Sequence, residues 1–101
     1  MNVKFNKDEV AIMQTALDSW GLNAQLAVTV EECAELIVAL QKYINRSSNA
    51  KAVDNVLDEI ADVEIMLAQM RLALGIDDTM LSKRIGEKLV KVKGYLEISN
   101  T

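Results

Sequence analysis

The chain reads as four stretches in which apolar residues recur every three or four positions, the period of a helix face rather than of a strand. The first opens at Asn6, which can cap a helix, with Glu9 three positions on. Val10, Met13 and Leu17 form its apolar row, and it ends near Trp20. Gly21 and Asn23 mark a break. From about Ala24 to Asn45 the row is Leu26, Val30, Cys33, Ile37, Leu40 and Ile44, and Arg46, Ser47, Ser48 and Asn49 form the clearest loop. A third helix is predicted from Lys51 to Leu74, with Val56, Ile60, Val63, Leu67, Met70 and Leu74 in its row and Gly75 as a left-handed stop. Asp77, Asp78 and Thr79 then introduce a fourth, from Met80 to Ile98, whose row is Leu81, Ile85, Leu89, Val92 and Leu96. Gly86 and Gly94 weaken that last helix by about 1 kcal/mol each. The pattern predicts an all-α fold in one domain over residues 1–101: a four-helix bundle-like protomer, its second and third helices antiparallel across a short loop.

Composition agrees. The chain has no Pro and 4 Gly, so little punctuates it into strands. A net charge of −4 opposes nucleic-acid binding, whose electrostatic footprint is basic. Cys33 is the single cysteine, so no disulfide can form within the chain, and it reads as a buried structural thiol in a reducing compartment. No apolar run approaches the ~18 residues that span a bilayer. The N-terminus, with Lys4, Lys7, Asp8 and Glu9 close together, has no signal-peptide core. A soluble, cytoplasmic protein with no membrane partner is expected.

Charge placement carries the chemistry. Glu32 and Glu35 lie three apart on the second helix, yet the neighbours of Glu32 one turn away are Val28 and Leu36, and Ala39 follows Glu35. Glu59 and Asp62 repeat the spacing on the third helix, beside Val63 and Met66. Such i, i+3 pairs share a face, and antiparallel packing can bring all four together. Two unit charges ~4 Å apart repel by about 4 kcal/mol at an effective dielectric of 20. Several such pairs rival the whole stability of a small domain, about 5–15 kcal/mol. Protons or a cation must then neutralise them, and an all-oxygen set selects Mg²⁺, or Mn²⁺ in its place. A single acid on a helix is ordinarily solvated surface. Two matched pairs amid apolar neighbours are less ordinary.

These residues resemble a known family. Glu31-Glu32-Cys33-Ala34-Glu35 is similar to the EExxE motif of the all-α, MazG-like nucleotide pyrophosphohydrolases, and Glu59-Ile60-Ala61-Asp62 to their ExxD motif. Trp20-Gly21 and Gln25-Leu26 upstream also resemble that group, in particular its small phage and bacterial members. The resemblance runs from Trp20 to the fourth helix. It implies Mg²⁺-dependent hydrolysis of a nucleoside triphosphate to the monophosphate and pyrophosphate, with Glu32, Glu35, Glu59 and Asp62 as metal ligands. Glu31 would be a further ligand, a residue behind the ligands, or the group that orients the attacking water. Gln25 and Trp20 are taken on the substrate side; Trp20 and Tyr95 can stack on a base, although core or rim is the commoner place for each.

The fourth helix holds five basic residues, Lys83, Arg84, Lys88, Lys91 and Lys93, against Glu87 and Glu97. Lys83, Lys88 and Lys91 are candidates for the triphosphate tail; plain solubilising surface is the alternative. The third helix also carries Leu57, Ala61, Ile65, Ala68 and Leu72 on a second face. A helix apolar on two sides is buried on two sides, so a homodimer or homotetramer is expected. Two other functions share part of this pattern. A phosphoribosyl-ATP pyrophosphohydrolase uses the same carboxylates, and a helical dimerisation module or adaptor needs the apolar rows but not the acids.

Overall fold

In the computed structural model, residues 4–46 and 49–99 are described, so Ser47 and Ser48 of the expected loop lie outside them. The chain forms four helices: α1 (Lys7–Trp20), α2 (Leu22–Asn45), α3 (Ala50–Leu74) and α4 (Asp78–Ser99), with no strand among the described residues. None of these helices is long and apolar enough to cross a membrane.

Each boundary has a local cause. At α1, Asn6 Oδ1 accepts the Glu9 N–H and the Asn6 N–H donates to Glu9 Oε1, both at 2.8 Å, a reciprocal capping box. Asn49 caps α3 by accepting the Ala52 N–H at 2.9 Å, and Asp77 Oδ1 accepts the Met80 N–H at 2.8 Å at the start of α4. Gly75 ends α3 in the left-handed region, φ 68° and ψ 30°. The break between α1 and α2 is a single residue, since α2 begins at Leu22 and takes in Asn23. Gly21 adopts φ 87° and ψ 159°, backbone that side chains essentially forbid. Its N–H donates to Leu17 O and its carbonyl accepts from Gln25 N, so one residue closes α1 and opens α2.

Packing departs from expectation in two ways. First, α2 and α3 form the main antiparallel pair and α1 packs on both, but α4 packs on none of the others. The bundle is therefore three helices, and the fourth leaves it. Second, the long apolar rows do not face inward. Val30 is 69% exposed and Ile37 59%, and Leu26, Leu40, Ile44, Ile60, Leu67 and Leu74 are exposed too. On α4, Ile85, Leu89, Val92 and Leu96 all face out. What is buried is smaller: Met13, Leu17, Ala39, Met66, Ala68 and Met70, with Gln25 and Gln69 among them. The resulting particle is open. Its radius of gyration is 16.5 Å, against about 13 Å for a compact chain of this length. Its accessible surface is 8032 Å², against about 5,700 Å² for a compact monomer of its mass.

Gly21→Ala should destabilise the fold by about 1–3 kcal/mol through backbone strain alone, because an added Cβ there meets nothing within 4 Å. Gly86→Ala, mid-helix and equally unobstructed, should cost nothing and raise helix content. Urea midpoints and far-ultraviolet circular dichroism of the two variants check the contrast.

Candidate metal centre

The line of contact between α2 and α3 is set by spacing. Along α2 it passes through Gln25, Val28, Glu32, Glu35 and Ala39, in steps of three and four. Along α3 it returns through Asn55, Glu59, Asp62, Met66 and Gln69. Gln69 is hydrogen-bonded to Gln25, Val28 and Met66 line one cavity together, and Glu32 meets Asp62 as Glu35 meets Glu59. These are the positions of a coiled-coil seam. They lie one residue away from the apolar rows at Leu26, Cys33 and Leu40 and at Val56, Ile60, Val63 and Met70. One residue is about 100° of helix rotation. Much of the aliphatic row of each helix is therefore turned aside, although Met70 stays buried and Cys33, Val56 and Val63 half-buried, and the acids stand in the middle of the contact.

One carboxylate oxygen from each of Glu32, Glu35, Glu59 and Asp62 can be chosen so that all four lie within 4.8 Å of one another. Glu32 and Glu59 are half-buried, and Glu35 and Asp62 are open to solvent. Glu32 Oε2 and Glu59 Oε2 are shut away from water and accept no hydrogen bond. Among the described residues no basic side chain pairs with any of the four. Burial raises the Glu32 carboxyl above its ordinary 4.5, assisted by the charges of Asp62 and Glu35, a carboxyl–carboxylate contact with Asp62, and the charge of Glu59. Burial likewise raises Glu59, followed by the charges of Glu35 and Asp62, the contact with Glu35, and the charge of Asp58.

Buried oxygens without donors normally carry a cost that native proteins avoid. A divalent ion bound between the helices would remove it, because each orphaned oxygen would gain a partner and the mutual repulsion would be offset. The set is all carboxylate, which suits a hard cation, and it comes from two rigid helices rather than from loops. Glu35 and Asp62 form the solvent-open side of the cluster.

The remaining sequence candidates are more scattered. Glu31 is exposed and outside the cluster, next in sequence to Glu32. Gln25 is buried in the seam, while Trp20 is exposed at the end of α1. Lys83, Lys88 and Lys91 are exposed on α4, which packs against neither α2 nor α3. One residue of the seam escaped the sequence reading, Gln69. The available signal was its spacing of seven from Asp62, which places an amide on the same face amid Met66, Ala68 and Met70.

In EDTA at pH 8, Glu59→Gln should melt above the parent, because it removes a charge held in an unfavourable place. Glu32 and Glu59 bind protons more tightly in the folded state than at the unfolded value of 4.5. Their penalty is therefore complete above the raised values and is relieved as pH falls through them. The gap between variant and parent should narrow from pH 8 toward pH 4.5, and with saturating Mg²⁺ at pH 8 the order should reverse. Melting curves across that grid check all three. Comparison of the chain with protein-family models, with curated proteins and with solved structures finds no match.

Proposed function

We propose that the protein is a Mg²⁺-dependent nucleoside triphosphate pyrophosphohydrolase, releasing a nucleoside monophosphate and pyrophosphate, and that it works as a homodimer or larger homo-oligomer. The observation that carries the reading is the convergence of Glu32, Glu35, Glu59 and Asp62, two of them with buried and unpartnered oxygens. The motif resemblance of Glu31–Glu35 and Glu59–Asp62 supplies the reaction class.

When bound, Mg²⁺ neutralises phosphate charge and acidifies a water molecule. The chain's own residues do the rest. Glu32 and Glu59, the half-buried pair, and Glu35 and Asp62, the solvent-open pair, would together hold the ion. Glu31, exposed and outside the cluster, takes the role the resemblance leaves open for it, orienting the attacking water. Hydrolysis of this kind needs mainly positioning and charge stabilisation, which rigid helices provide.

Assembly completes the picture. The surface excess over a compact monomer is about 2,300 Å² per chain. Burying it between two copies removes about 4,700 Å² in total, within the range of obligate homodimers. The rows at Val30, Ile37 and Leu67 and the apolar side of α4 supply that interface. Because α4 packs on no other helix of its chain, any contact of Lys83, Lys88 and Lys91 with a triphosphate is assigned to one held by a neighbouring copy. The same exposed rows favour a second reading, a helical dimerisation module without enzymatic activity, in which the acids only weaken one seam.

Two measurements separate these. Glu35→Gln and Asp62→Asn should each reduce pyrophosphate release from a panel of ribo- and deoxynucleoside triphosphates by about 100-fold or more, with helix content unchanged. Parent protein that hydrolyses none of them with Mg²⁺ or Mn²⁺, and whose melting no divalent ion shifts, supports the dimerisation module instead. Light scattering should give at least twice the chain mass at micromolar concentration; a monomeric mass removes the assembly.

A further inference from the structure

The α2–α3 hairpin is tied covalently at one end, by the connection between Asn45 and Ala50. Toward the other end it is held by a pair of amides. Gln25 and Gln69 are 5% and 3% exposed, and the Gln69 amide N–H donates to Gln25 Oε1. Apart from the contacts inside the acidic cluster, this is the one side-chain hydrogen bond between two helices among the described residues. Glu32, Glu35, Glu59 and Asp62 lie between the two ties. Gln25 precedes Glu32 by seven residues, and Gln69 follows Asp62 by seven. Seven residues turn a helix through two revolutions less about 20°, so amides and acids share one line.

The observed arrangement has a competitor. Rotation of each helix by one residue, about 100°, would bring exposed Leu26, Leu40 and Ile60 toward the contact and separate the acids. Apolar burial favours that rotation, and so does the repulsion among four carboxylates. Something must oppose both until a cation binds. In the rotated hairpin Leu26 would replace Gln25, Met70 would replace Gln69, and the bond between the amides would be lost. That bond therefore belongs to the rotation that gathers the acids. A buried polar pair in an otherwise apolar seam can fix the alignment of two helices at some expense of stability.

We propose that Gln25 and Gln69 are positioning residues for the cation centre, their bond selecting the helix rotation at which Glu32, Glu35, Glu59 and Asp62 converge. The proposal rests on the cation reading of those acids and on no particular reaction. The amides stand about 10 Å along the seam from the acids and act through the two helices rather than by contact with an ion.

Gln25→Leu, Gln69→Leu and the double variant separate alignment from stability, with Mn²⁺ as the probe ion followed by its paramagnetic resonance. Each single variant should melt below the parent in EDTA, because it leaves one buried amide unpaired. The double variant should recover the parent's melting temperature or exceed it. It should nevertheless bind Mn²⁺ about tenfold more weakly or worse. In EDTA its α2 and α3 amides should give a second set of nuclear magnetic resonance signals where the parent gives one. Stability regained without affinity is what alignment predicts; a pair that merely fills space would lose and regain both together. Gln25→Asn, one methylene shorter and still polar, should weaken Mn²⁺ binding likewise and serves if the double variant fails to fold.

Parent-like Mn²⁺ affinity in the double variant, or in Gln25→Asn where the double variant does not fold, overturns the proposal and leaves the cation site standing. A parent that binds no divalent ion, with signal doubling confined to the double variant, removes the cation site and upholds the amides as the selector of rotation. Without that doubling, both fall. Weaker Mn²⁺ binding that tracks a changed mass in light scattering assigns the amides to assembly, and overturns the proposal as well.

Discussion

Like charges held at the contact between the two longest helices are the constraint from which the rest of the molecule follows. Packing α2 on α3 brings Glu32, Glu35, Glu59 and Asp62 into mutual range, and an apolar residue at each of those positions would make a tighter, more stable hairpin. The chain instead buries Met66 and Ala39 around the acids and turns its aliphatic rows aside. A hydrophobic seam was within reach of this composition, and a one-residue rotation of each helix, about 100°, would have built it. The observed rotation presents oxygen where carbon would have been easier, and cation binding is the simplest process that turns such an arrangement from a cost into a gain.

Turning the rows aside has a second effect. Aliphatic side chains removed from the intrachain contact do not disappear from the energetics; they appear as surface, on α2, on α3 and on the detached α4. The acidic seam and the self-association proposed here are thus two sides of one rotation. The hairpin gives up its best apolar contact internally and exposes it, so that the acidic cluster and the proposed interface would lie on adjacent faces of the same two helices.

Sequence reading located the helices to within about two residues because their ends are marked by residues with specific backbone work to do: Asn6, Gly21, Asn49, Gly75 and Asp77. The four acids were legible for a related reason, since polar residues at matched spacing among apolar ones stand out in any helical projection. Which face of each helix turns inward was not legible. The usual rule sends the greasiest stripe to the chain's own core, and here the surfaces of greatest greasiness and of closest approach differ by a single residue. Nothing local to Leu26 or Val63 distinguishes an intrachain contact from one with another copy. The detachment of α4 was hidden likewise, because Leu81, Ile85 and Leu89 have the same period whether they pack at home or elsewhere. Gln69 was overlooked because an amide in a helix is unremarkable until its partner is known.

α4 has one more consequence. It is 22 residues long, contains Gly86 and Gly94, and rests on no other helix of its chain. Most helical stability in proteins comes from tertiary packing rather than from propensity, and the two glycines lower the propensity of this helix further. In the proposed assembly the final fifth of the polypeptide would take its order from a neighbouring copy. Dilution would then act on it as a mild denaturant, and the protein's secondary structure would become a readout of its own abundance.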